Sequence, residues 1–428
     1  MARKFLTILA DRGSKSVTLL ERKSNNTDMK TIKPIRVAML LAAVAISQML
    51  GAANAPTTVM YHQTLNSGNK PADIILPEGA AYTKDGLSVT KAGEVVKLDR
   101  YYSLAERTVR YVASFSEDAV ANFTSDSKDF TAFVDMPRQK WGIKIPQGFR
   151  NYVNREVTAA FLDPAHEYLV EVTRFYSTMT AVLSDLYTGE EARIEITNDG
   201  AGGAGVGSIN AGTRVGLHHD YYCFGLESGS EMKVSEMTVT ARQCGYTLLI
   251  YGDSITEPDD YYPAAIFDKT WVKLIIDNVP GKAAASGRGG TQIKEILLRI
   301  KNELPYVQSK YVMVTIGTNS GNTEENLSEL VEYIISQGSI PILNNIPSNE
   351  HNSQVECNAM IEKIRQKYGL KGVRFDIPTS LAHDGKEVDE STMWVEEYPF
   401  GSYRHHPNVK GAKLMYLQTL IDVPEIYE

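Results

Sequence analysis

From about residue 58 to residue 243, apolar and polar side chains alternate in short runs broken by Gly, Asp, Asn and Pro. "RTVRYVASF", "YLVEVTRFY", "ARIEIT" and "MKVSEMTVTA" carry β-branched and aromatic residues at period two, the pattern of strands with one face buried. A single antiparallel β-sandwich is the simplest architecture for such a series. After Gly245 the pattern changes. "TLLIYG", "KYVMVTIG", "IPILNNIP" and "GVRFD" read as strands, and the first two read as buried. Between and after them, "TWVKLIIDNV", "TQIKEILLRIKNEL", "NTEENLSELVEYIISQG", "SQVECNAMIEKIRQKYG" and "VKGAKLMYLQTLI" read as amphipathic helices. Ile293, Ile296, Leu297, Ile300 and Leu304 lie at helical spacing, and Asn322 with Glu325 forms a capping-box-like start for a helix closed at Gly338. Alternating strands and helices predict a parallel sheet covered on both faces. The short "QCGY" joint predicts that the two halves touch.

The expected organisation is therefore multidomain: an upstream segment at 1–55, a sandwich at 56–244 and an α/β domain at 245–428. The upstream segment contains "MKTIKPIRVAMLLAAVAISQMLGAANA", in which Lys30, Lys33 and Arg36 precede an apolar run that ends in small residues. That order reads as a secretory signal peptide with translation starting at Met29, and the alternative is an N-terminal membrane anchor. The expected product is periplasmic or secreted, without a stable membrane anchor.

Composition narrows the partners. The chain of 428 residues has a net charge of −8 and scattered basic residues, which offers no positive stripe to a nucleic acid. Cys223, Cys244 and Cys357 are too few and odd in number for a disulfide framework; Cys223 and Cys244 are expected as buried free thiols, and the alternative is a pair formed in an oxidising compartment. "GAGGAG" from Gly200 matches a dinucleotide-binding pattern but is followed by β-like sequence rather than a helix, and reads as a sandwich loop. The pairs His218-His219 and His405-His406 have no acid or cysteine at a familiar ligand spacing, so no metal site is expected.

Reactive groups in a parallel sheet collect beyond the carboxyl ends of its strands. Ser254 follows the first such strand in "YGDSIT". Gly287 precedes a helix in "SGRGG", Asn319 follows a strand in "IGTNS", and His406 precedes the last helix in "HHPN". Each has an ordinary explanation as a turn, cap or loop residue. A serine so placed can attack an ester carbonyl with its own N–H helping to hold the oxyanion, and all four residues together, in this order and at these termini, are hard to explain as coincidence.

These four blocks resemble those of the SGNH hydrolases, also called the GDSL lipase/esterase family, and span about 180 residues of the second half. The resemblance implies Ser254 as nucleophile, His406 as base, and an oxyanion hole from the Ser254 and Gly287 N–H groups with the Asn319 amide. It also implies a three-layer flavodoxin-like fold and no cofactor. The first half resembles a concanavalin-A-like jelly roll. The family usually places an Asp three residues before its histidine, and here Tyr403 stands there. Some acetylxylan-type members with an N-terminal β-sandwich rely on a Ser-His dyad. Asp384, Asp389, Glu396 and Glu397 are the alternative source of a third member. Trp394, Tyr398 and Tyr403, with Phe400, suit a wall for sugar rings or for core packing. The implied substrate is acylated carbohydrate or another small ester. A lipase, lysophospholipase or thioesterase, and an inactive glycan-binding protein, are the other readings.

Overall fold

A computed structural model describes residues 58–102, 107–126, 131–147, 151–175, 178–197, 220–257, 267–394 and 403–428. Residues 55–428 form one compact unit. The segment expected to be a leader, the "GAGGAG" stretch and the His218-His219 pair lie outside the described residues.

The first half builds two antiparallel sheets. One runs in the order Glu191–Thr197, Thr178–Asp185, Tyr168–Phe175, Arg107–Phe115, Met232–Ala241, Leu87–Val89 and Ala80–Tyr82, with Thr58–Thr64 also paired to Met232–Ala241. The other runs Asn151–Thr158, Lys140–Gln147, Thr131–Asp135, Val120–Ser125, Asp220–Ser228, Val95–Tyr102 and Ile74–Ile75. The period-two alternation does what it predicts. Along Arg107–Phe115, Val109, Tyr111, Ala113 and Phe115 are buried. Tyr111 meets Phe123 and Phe224 of the opposite sheet with ring centroids 4.9 and 5.6 Å apart, so aromatic edges close the sandwich.

The second half builds a four-stranded parallel sheet in the order Ala283–Gly287, Tyr246–Gly252, Ser309–Thr315 and Ile340–Leu343. Alternate residues of its strands feed two cores. Leu249, Tyr251, Val312 and Val314 join a core with the helices Ile293–Val307, Glu324–Ser336 and Gln354–Tyr368. Leu248, Ile250, Tyr311 and Met313 join another with Trp271–Asn278 and Val409–Asp422. The first of these cores is continuous with the interior of the sandwich. Helix Ile293–Val307 makes that junction, since it touches both Val95–Tyr102 and Thr58–Thr64.

Two local expectations are corrected. "GVRFD" forms no full strand: Lys371 and Arg374 make isolated parallel bridges to Ile342 and Asn345, and the chain turns at once into the short helix Asp376–Thr379. The cap of helix Glu324–Ser336 is Thr323, whose hydroxyl accepts from Asn326 N, because Asn322 turns back to donate to Ile316 O at 2.9 Å. The three cysteines are free thiols. Cys223 is buried as expected, but Cys244 is only half-buried.

Candidate active site

Strand Tyr246–Gly252 delivers the chain into a tight turn that carries Ser254. Gly252 admits no side chain, since a Cβ there would lie 2.7 Å from Thr315 O and 1.9 Å from Thr256 Oγ1. Asp253 fastens the turn: its Oδ1 accepts from Ile255 N at 3.0 Å, and its carbonyl accepts from Thr256 N and Glu257 N. The carboxyl is fully buried, and burial pushes its pKa up to about 7. Ser254 itself is buried, 6% exposed.

His406 comes from the other end of the half. Strand Tyr403–Pro407 pairs with Met393–Trp394, and Asn408 then caps helix Val409–Asp422 by accepting from Gly411 N. Asn408 also donates to Ser391 O and Met393 O, so one side chain fixes the helix start and the loop beside it. The result is a buried contact of 2.8 Å between His406 Nε2 and Ser254 Oγ. Burial, assisted by neighbouring His405, holds the imidazole pKa well below the ordinary histidine range. A neutral ring with an unprotonated Nε2 accepts the serine O–H, and that tautomer is assigned from the contact.

Gly287 and Asn319 arrive by register. Gly252 pairs with Gly287 on one side and Thr315 on the other, so all three strands end level with the serine turn. A Cβ on Gly287 would lie 2.3 Å from Glu257 N and 2.4 Å from Thr256 C, which is why the turn can pack there only against glycine. Asn319 lies four residues beyond Thr315, and its Nδ2 donates to Thr291 O at 3.2 Å with a long 3.5 Å contact to Asp253 Oδ2. One N–H of that amide is firmly engaged and the other only weakly.

The remaining sequence candidates spread out. Asp384 is exposed and accepts from Lys386 N. Asp389 caps a short turn by accepting from Ser391 N and Oγ, the hydrogen bonds that chiefly lower its pKa, and lies 3.7 Å from Lys410 Nζ. Glu396, Glu397, Tyr398 and Phe400 lie outside the described residues. Trp394 is partly buried against the core of the terminal helix, and Tyr403 pairs with it in backbone register. Sequence reasoning missed two residues. Glu350 lies 3.1 Å from His405 Nδ1, and the His405 ring lies 4.2 Å from that of His406. Arg299, wholly buried, donates to Gly252 O and Ser286 O. Among the described residues, no three His, Cys, Asp or Glu side chains are grouped to hold a metal ion.

Comparisons with known proteins find likeness to part of the chain only. No family model matches the chain, and no curated protein does. Among solved structures, a GDSL-like lipase from Bacteroides thetaiotaomicron matches at 17% identity over 42% of this chain and 86% of its own, with a TM-score of 0.32. A mutant acetyl-xylooligosaccharide esterase from Geobacillus matches at 17% identity over 43% of this chain and 95% of its own, TM-score 0.34. The exoplasmic domain of the lectin VIP36 matches at 11% identity over 42% of this chain and 87% of its own, TM-score 0.31. The chain is thus similar to GDSL-like hydrolases in its C-terminal part and to a lectin domain in its sandwich.

Proposed function

We propose that the protein is an exported serine esterase that removes small acyl groups, acetyl above all, from carbohydrate. The observation that carries this reading is the buried 2.8 Å contact between Ser254 Oγ and a neutral His406 Nε2 at the carboxyl ends of a parallel sheet. In the proposed reaction Ser254 Oγ attacks the ester carbonyl while its proton passes to His406 Nε2. The carbonyl oxygen takes the negative charge, and the N–H groups of Ser254 and Gly287 with the Asn319 amide are its donors. Collapse breaks the bond to the sugar oxygen, which leaves with the proton from His406. Water repeats the steps to free the acid and Ser254. We read the architecture as flavodoxin-like, supported by the strand order second, first, third, fourth with bridges to 371–374 as a fifth position. The preference for carbohydrate rests on the aromatic residues of the 394–403 segment, and export rests on the charge pattern at 29–55.

The test is turnover of p-nitrophenyl acetate beside longer acyl esters, by a chain begun at residue 56. The expected result is preference for acetate, abolished by Ser254→Ala with the fold unchanged by circular dichroism. Preference for long acyl chains would indicate a lipase or thioesterase. Absence of turnover would indicate a binding protein.

A further inference from the structure

The sandwich sends two buried polar arms into the second half, and both end beside the serine turn. Arg107 Nη2 lies 3.1 Å from Glu303 Oε2 on helix Ile293–Val307, and the same oxygen accepts from Tyr251 OH at 2.8 Å. Tyr251 is the last residue but one of the strand that delivers Ser254. The second arm begins at Tyr101, whose ring centroid lies 5.6 Å from the Arg299 guanidinium and whose hydroxyl accepts from Arg288 Nη1 at 2.8 Å. Asn302 of the same helix donates to Tyr101 O at 3.1 Å.

Arg299 does something an apolar residue could not. Its Nη1 donates to Ser286 O at 3.1 Å and to Ser286 Oγ at 3.3 Å, and its Nη2 donates to Gly252 O at 3.2 Å. One rigid fork thereby ties the ends of the two strands that lead to Ser254 and Gly287. The Ser286 carbonyl and the Gly287 N–H belong to one peptide unit, which is planar and trans, as all the described peptides are. Holding that carbonyl fixes the opposite direction, along which the Gly287 N–H points, and a cation on the oxygen polarises the unit so that its N–H is a stronger donor. Keeping a guanidinium in a dry interior is costly, and well-packed apolar substitutes for buried ionic groups are often more stable.

We propose that Arg299 is a positioning residue for the oxyanion donor at Gly287, and that the sandwich, through Tyr101, holds Arg299 in place. The sandwich is then a working part of the hydrolase rather than a detachable module. The inference rests on the esterase reading for the role of the Gly287 N–H, but not for the geometry.

The test uses Arg299→Lys, which keeps the charge but loses the planar fork that spans the two strand ends, and Tyr101→Leu, which removes the ring and hydroxyl from the sandwich side. On p-nitrophenyl acetate, Arg299→Lys should lower kcat about 10- to 100-fold, short of the loss of a whole donor, with KM within about twofold and the pH profile unmoved. Tyr101→Leu should lower kcat about 3- to 10-fold in the same pattern. Amide hydrogen exchange across 283–288 should rise at least about tenfold in Arg299→Lys, with the far strand 309–315 unchanged. If the unaltered chain hydrolyses no ester, the esterase reading fails and the exchange measurement alone decides the inference. If Arg299→Lys does not fold, Tyr101→Leu carries the test. A kcat within twofold, a change confined to KM, or unchanged exchange at 283–288 overturns the proposal.

Discussion

Burial sets the working range of His406. On the proposed mechanism it is the base and must be neutral, so activity falls as pH drops through its pKa. Burial, with His405 beside it, moves that pKa below the ordinary value near 6.5. The acid limb of kcat/KM on an acetyl ester should therefore lie below pH 6.5, and a limb at or above that value would contradict a buried neutral base. The acids near it in sequence have other tasks. Asp384 accepts from Lys386 N at the surface, and Asp389 caps its own turn. Asp384→Asn and Asp389→Asn should each leave turnover within about threefold of the unaltered chain, whereas loss of a triad carboxylate costs up to about 10⁴-fold. A loss near that size in either would make that residue the third member. The placement of Ser254, Gly287, Asn319 and His406 about one end of the sheet was legible because local sequence marks each turn. Arg299 and Glu350 were not. In "LLRIKN" an arginine on an amphipathic helix looks like any solvated cation, and only the two strand ends beneath it give it a role.

At the scale of elements, hydrophobic period recovered the five long helices of the second half and three of the four strands of its sheet, but not Ala283–Gly287, whose small residues carry no period, and it failed too where side chains contribute more than the period does. "GVRFD" has the composition of a strand, but Arg374 turns to Asp376 and Asp376 accepts from Asn345, which fits a bridge followed by a helical turn. Asn322 has the residue type of a cap, yet its amide serves Ile316 O and leaves the cap to Thr323. The end of Ala283–Gly287 shows the reverse case, where one residue decides how two elements meet. Gly287→Ala would push a methyl group into the backbone of 256–257, which cannot yield as a flexible side chain can. The expected result is a loss of about 2 kcal/mol or more in unfolding free energy together with at least about 100-fold in kcat, because the serine turn and the donor strand separate. Unchanged denaturation and turnover would show that the turn adapts.

On the scale of the molecule, the joint at residues 242–245 looks in the sequence like a place to cut, since composition and period both change there. Packing gives a different answer. The core under helix Ile293–Val307 continues into the sandwich, and that helix buries Ile293, Ile296, Leu297, Ile300, Leu304 and Val307. Its Glu303, inaccessible to solvent, faces Arg107 of the other half. A chain begun at residue 245 would open the side of that shared core which the sandwich closes, at about 25 cal/mol per Å² of apolar surface. It would also strand Glu303 without its cation, and breaking a buried pair from one side costs about 3–5 kcal/mol. Against a whole stability of about 5–15 kcal/mol, that combination is enough to unfold the half. The chain 245–428 alone should therefore be insoluble or unfolded by circular dichroism, while 56–428 folds and melts in a single transition. The sandwich alone, 56–244, should bind a hydrophobic dye at its exposed flank, because the side of Tyr101 that meets the helix is uncovered there. A soluble 245–428 with full acetyl-ester turnover would show that the two halves share an interface but not a fold, and would remove the sandwich from the catalytic architecture.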